Sequence, residues 1–277
     1  LTAYYDIFAV GLYTNIFTIA FLLPILFYKD GWKKAFTTHS FPLHVLRSIF
    51  MLCIFLSIIY ALKVLPIANT YTITYSMPFI LNILALLILK EKISSYRWFA
   101  IFTAFIGIVI ALRPDTMVFN LGTLAAMVVA LFLAANTITV KFIDPRDHWM
   151  TFIAYPMAIQ TPVIALIVSL RDQPLLPEWS VIPSLWMIAG GFFYAVGLIL
   201  LPQAIKRTET SIFGYTQYIT FLWAVILGYF IFSDMLDVWT ATGAMIIVAS
   251  GIFLIYREKV ENSKILEIEE DGHIGQR

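Results

Sequence analysis

Charge is scarce in this chain. Only 13% of its 277 residues are Asp, Glu, Lys or Arg, and 61% are hydrophobic. Soluble domains carry about 25% charged residues. A chain this apolar cannot cover itself with polar surface in water, so a bilayer is its expected solvent. The formal net charge of +1 gives nucleic acid nothing to hold. Cysteine occurs once, at Cys53 inside an apolar run. That excludes an internal disulfide and a multi-cysteine metal site, and Cys53 reads as a small core hydrophobe. The histidines, His39, His44, His148 and His273, fall in loops, at a helix end or in the tail. There is no HExxH pair, no GxSxG and no P-loop. The chain is therefore not expected to be an enzyme, nor to carry a cofactor or metal.

What is present is a series of apolar runs of membrane-spanning length. They cover residues 9–28, 44–62, 67–89, 96–112, 121–140, 149–170, 185–204, 211–232 and 238–256. The runs lack period-two alternation and are about twice as long as barrel strands, so they are helices. None holds an Asp or Glu near its middle, which argues against a simple carboxylate proton relay.

Lysine and arginine set the orientation. With the C-terminus cytoplasmic, 15 of the 18 fall on the inner side, leaving Lys63, Arg113 and Arg171 outside. The chain starts at Leu1 with nothing that reads as a signal peptide. Residues 257–277 are polar and read as a solvated, frayed cytoplasmic tail.

A shift of 143 residues lays 61–91 over 204–234 without a gap. Ala61 meets Ala204, Lys63 meets Lys206, Tyr75 meets Tyr218, and Glu91 meets Asp234. Equivalent positions fall on opposite sides of the membrane, so the repeats are inverted, and each needs an odd number of spans. Five follow residue 115 and four precede it, which places one expected helix before Ala9. Inverted repeats are characteristic of secondary transporters, whose solute site lies near the midplane.

Residues 47–114 carry a recognisable set: Arg47, Ala61-Leu62, Leu65-Pro66, Ala68, Pro78, Glu91, Gly107 and Arg113-Pro114. In these the chain resembles the drug/metabolite transporter superfamily, in its ten-helix EamA branch. The resemblance implies an all-α integral membrane protein of ten helices, five plus five inverted, with nine visible here. The expected organisation is a first repeat over 1–114, a second over 115–256 and a cytoplasmic tail over 257–277. The resemblance further implies a central cavity and export of small organic metabolites by alternating access in a bacterial inner membrane. The nearest variety handles amino acids and S-adenosylmethionine-like solutes. Phe221 departs from the pattern, standing where the second repeat would match Pro78.

Candidate cavity residues follow from helical spacing. Tyr71, Thr74, Tyr75, Pro78 and Asn82 form one stripe at 3.6-residue period, opposite Ile73, Ile80, Leu84 and Leu87, which lipid should take. Pro78 inside a helix would free the carbonyl of Thr74, while the threonines could equally bond their own backbone. The partner stripe holds Gly214, Gln217 and Phe221, with Tyr218 beside it. Asn15, Asn136 and Tyr194 are further candidates. Gly107 with Ala111, and Gly243 with Gly251, read as helix contacts. Arg47, about a turn inside its span, either snorkels to the inner interface or gates it with Glu91. Lys63 and Asp234 would form the outer gate. Such a cavity suits polar, zwitterionic or aromatic solutes. The expected partners are a small molecule and the bilayer, with the protein a monomer or homodimer. A channel, or a receptor or scaffold, are the alternatives.

Overall fold

Each expected span is helical in the computed structural model, which describes residues 7–28, 31–113, 120–170, 181–232 and 238–274. The elements are α1 (Ile7–Phe27), α2 (Gly31–Phe36), α3 (Phe41–Val64), α4 (Ile67–Thr74), α5 (Met77–Leu84) and a π-helical turn (Ala85–Leu89). Then follow α6 (Ser95–Leu112), α7 (Leu121–Phe142), α8 (Thr151–Ser169), α9 (Val181–Arg207), α10 (Thr210–Phe232) and α11 (Val238–Ile274). No strand occurs among the described residues. Eight stretches there are long and apolar enough to span a bilayer, and α10 adds a shorter apolar stretch, Ile212–Leu227.

The 143-residue shift holds for whole helices. It carries 67–89, the bounds of α4 to the π turn, onto 210–232, the bounds of α10; it likewise carries the start of α6 onto that of α11. α1 maps onto α8 and α3 onto α9 within a few residues, leaving α7 without a mate.

Three expectations change. The third span is not one bent helix: it breaks at Tyr75–Ser76, and Pro78 sits in the first turn of α5. The first turn is where proline fits, since the N–H it lacks would be unpaired there anyway. The break also alters the facing of α4, so Ile73 is buried among Ala61 and Ala126 instead of meeting lipid, whereas Leu87 stays exposed. Third, α11 runs on to Ile274. The tail's backbone is thus helical and not frayed. The short helix α2 was not anticipated.

Contacts group the chain into two compact units. One comprises Leu1–Tyr60 and Ala135–Thr208, the other Ala61–Ala134 and Glu209–Arg277. In the first, α1 packs on α8 and α9. Leu12, Ile164 and Val168 form one apolar cluster there, and Leu22, Ile153, Met157, Ala195 and Leu198 another. In the second, α10 packs on α5 and α6, and α6 on α11. The α6–α11 approach depends on small residues: a Cβ on Gly243 would stand 2.4 Å from the Gly107 carbonyl oxygen and 2.6 Å from Ala111. These positions are helix contacts, as read from sequence. Gly251 likewise lies against the Tyr215 hydroxyl.

Candidate substrate site

In the second unit the break at Tyr75–Ser76 places an aromatic group against α10. Tyr75 lies 6.3 Å, centroid to centroid, from both Tyr218 and Phe221, and its hydroxyl is 3.5 Å from Thr220 Oγ1. Tyr71 stands 6.5 Å from Tyr75 on its more open side. Two buried polar atoms here have no partner. The Asn82 amide donates to the Pro78 carbonyl at 2.7 Å, but its Oδ1 accepts nothing. The Tyr218 hydroxyl is fully buried and unpaired. Tyr215, three residues earlier, shows what a structural tyrosine does: it donates to the Ile247 carbonyl at 2.8 Å and meets Ser250 Oγ at 3.0 Å. Gly214 lets Asn82 approach α10, since a Cβ there would lie 3.2 Å from Nδ2. Gln217 is half-buried on the same helix.

Thr70 and Thr74 do bond their own backbone, to the carbonyls of Pro66 and Thr70. Glu91 follows the π turn and the left-handed Lys90. Its carboxylate accepts from the Thr210 hydroxyl at 2.7 Å and the Thr210 N–H at 3.2 Å, which caps α10. Arg97 pairs with Glu209 beside it. Lys63 is exposed at the end of α3. Asp234 and Pro114 lie outside the described residues.

In the first unit Arg47 sits two turns inside α3 and is only 3% exposed. It does not snorkel. Its guanidinium donates to the Phe152 carbonyl at 3.2 Å, stacks 5.1 Å from the Phe152 ring and neighbours Tyr194, while Nε has no partner. Asn15 is buried on α1, and Asn136 Oδ1 on α7 is buried and unpaired.

The sequence reading missed a second cluster in this unit. Asp147 accepts from the Thr38 hydroxyl at 2.6 Å and the His39 backbone N–H at 2.7 Å. Both histidine rings reach it at 3.2 Å, His39 through Nδ1 and the fully buried His44 through Nε2. Burial works to raise the Asp147 pKa, but these donors outweigh it and bring it down to about 2. The ionised carboxylate ties the loop before α3 to the loop before α8. Nearby Asp144 is held well below the usual carboxylate range by Arg146, which grips it through side chain and backbone. The available signal was His39 and His44 sharing one side of the membrane with Asp147.

Apolar helices in repeated sets, one of them broken beside unpaired polar groups, are an arrangement found in membrane transporters. The chain belongs to the EamA-like transporter family, whose profile matches residues 1–113 and 120–257. It is an integral membrane protein of the drug/metabolite transporter superfamily. It is 28% identical to an S-adenosylmethionine uptake transporter of Rickettsia felis, over 93% of this chain and 85% of that protein. It is 22% identical to a pseudopaline exporter of Pseudomonas aeruginosa, over 78% and 74% of the two chains. A solved crystal structure at 17% identity shares the fold, with a TM-score of 0.74 over 89% of this chain and 86% of that one.

Proposed function

We propose that the protein is a secondary carrier for a polar, zwitterionic or aromatic metabolite: amino-acid-like, nucleoside-like or S-adenosylmethionine-like. It works by alternating access in a bacterial inner membrane, C-terminus cytoplasmic, and exports or exchanges its solute. The observation that carries this reading is the pair of orphan atoms: Oδ1 of Asn82, whose side chain lies next to Gly214 of α10, and Tyr218 Oη next to the Tyr75 ring. An unpaired buried polar group costs about 1–3 kcal/mol. A solute that supplies the missing hydrogen bonds offsets that cost, and the tyrosine faces accept a flat or cationic group. Discontinuous helices serve the same role in other carriers, exposing backbone groups where a cavity needs them.

Gln217 extends the polar lining in this reading, with Tyr71, Thr74 and Pro78 at its edge, while Asn15, Asn136 and Tyr194 are the solute-binding candidates of the first unit. Arg47 and Glu91 gate the inner side, and Lys63 and Asp234 the outer. Arg47 and Glu91 are each engaged within their own unit. Failure of charge-reversal swaps to rescue one another would remove the gate assignment.

The test is counterflow in liposomes with labelled amino acids, nucleosides and S-adenosylmethionine. Saturable, trans-stimulated uptake is expected, reduced by Tyr75→Ala and Gln217→Ala in folded protein. Flux that never saturates identifies a channel instead, and wild-type kinetics in both variants removes the cavity assignment. Inside-out against right-side-out vesicles give the direction.

A further inference from the structure

The first unit holds a cavity of about 220 Å³ that the transport reading does not use. Ile19, Leu22 and Ile25 of α1 line one side, and Ile153, Met157 and Ala158 of α8 another. Trp32 and Phe36 of α2 and Trp149 complete the lining. The lining offers no carboxylate, amide or hydroxyl, so a polar solute entering it would lose its water and gain nothing in return. A void of this size between apolar walls does not hold water stably either. Hydrocarbon is what fits it.

The rim says which hydrocarbon. α2 lies across α1 and α8 with Gly31 and Ala35 buried, and presents Trp32, Lys33 and Lys34 outward. Lys34 is within Coulomb range of His148, next to Trp149. Indole rings at such a position mark the headgroup level of a bilayer. The segment 29–34 carries Lys29, Lys33 and Lys34 against Asp30 alone. Positive charge beside an apolar slot at headgroup depth complements an anionic lipid.

We propose that this cavity binds one acyl chain of an anionic glycerophospholipid from the surrounding bilayer, its phosphate held at the rim by Lys33 and Lys34. The chain fills the slot between α1 and α8 under α2. Under the orientation proposed above, the lipid comes from the cytoplasmic leaflet, where anionic headgroups attract juxtamembrane lysines. The bound lipid then braces α2 against the two helices it crosses.

The experiment uses purified full-length protein in detergent, titrated with dioleoyl phosphatidylglycerol or dioleoyl phosphatidylcholine and read by native mass spectrometry and thermal unfolding. One phosphatidylglycerol is expected to be retained and to raise the melting temperature, with phosphatidylcholine far weaker. Ala158→Trp, which fills the slot from its open side, should abolish retention of both. The surface pair Lys33→Ala/Lys34→Ala should weaken phosphatidylglycerol roughly thirtyfold and leave phosphatidylcholine unchanged. Because that pair does not touch packing, it decides even if Ala158→Trp fails to fold. Equal retention of the two lipids by wild type, or an unaltered preference in the lysine pair, overturns the proposal. Neither readout involves transport, so this proposal and the carrier reading fail separately.

Discussion

Tyr75 and Tyr218 occupy the same position in the two halves of the sequence, and their rings meet 6.3 Å apart with planes 33° from parallel. Both lie in the second unit, where the α4–α5 break packs on α10. Their surroundings have diverged: Tyr75 sits at a break, and Tyr218 sits inside a continuous helix. The Tyr218 hydroxyl is unpaired, while Tyr75 reaches towards Thr220.

The first prediction separates ring from hydroxyl. Tyr75→Phe keeps the aromatic face and loses only the long contact to Thr220, so solute affinity should change little. Tyr75→Ala should raise the apparent KM at least tenfold. A double-mutant cycle between positions 75 and 218 should show coupling of about 0.5–1.5 kcal/mol in stability. Additive effects would mean the rings do not interact.

The second concerns the α6–α11 seam. Gly243→Ala places a methyl 2.4 Å from a backbone oxygen, which cannot swing away. It should lower stability by about 2–3 kcal/mol. Gly197→Ala on α9 meets nothing within 4 Å, and should stabilise by roughly 0.5 kcal/mol through a stiffer unfolded chain. Thermal unfolding of the two variants in one detergent checks both signs.

The third concerns Glu91. As the cap of α10 it holds both the N–H and hydroxyl of Thr210, at the end where the helix dipole favours an anion. Glu91→Ala should cost about 1–2 kcal/mol, and Glu91→Gln less, since an amide oxygen still accepts. If Glu91 also gates, Glu91→Gln should slow transport more than it lowers stability, a split that unfolding and counterflow measured together will show.

The helices were legible in the sequence because bilayer thickness fixes their length and the repeat fixes their phase. α10 matches its expected span to within one residue, and α6 likewise. The break at Tyr75–Ser76 was not, because a proline inside an apolar run is compatible with either a kink or a new first turn, and only neighbouring helices choose. Arg47 was ambiguous for a related reason. Its depth is visible in sequence, but the carbonyl of Phe152 that receives it is about a hundred residues away. Tyr75 and Tyr218 were paired by the repeat alone. The Asp147 cluster escaped because loop residues Thr38, His39 and Asp147, which follow no periodicity, carry it with His44 of α3, and only the fold brings them together.

That cluster supports the last prediction, a pH dependence with a definite sign. Asp147 has a folded pKa of about 2, below the value of about 3.9 for a free aspartate. A depressed carboxylate contributes stability that is fully present above the unfolded value and is lost as protons bind the folded form. The loss should therefore fall between about pH 4 and pH 2, with no change from this group at neutral pH. Asp147→Ala should remove the dependence and, by orphaning the His39 N–H and the Thr38 hydroxyl, cost about 3 kcal/mol at pH 7. Asp147→Asn should cost less, because Oδ1 can still accept from the His39 N–H. Unfolding of wild type and both variants across this range decides. A wild-type profile that stays flat below pH 4, or is matched by Asp147→Ala, would show that the carboxylate does not tie the two loops.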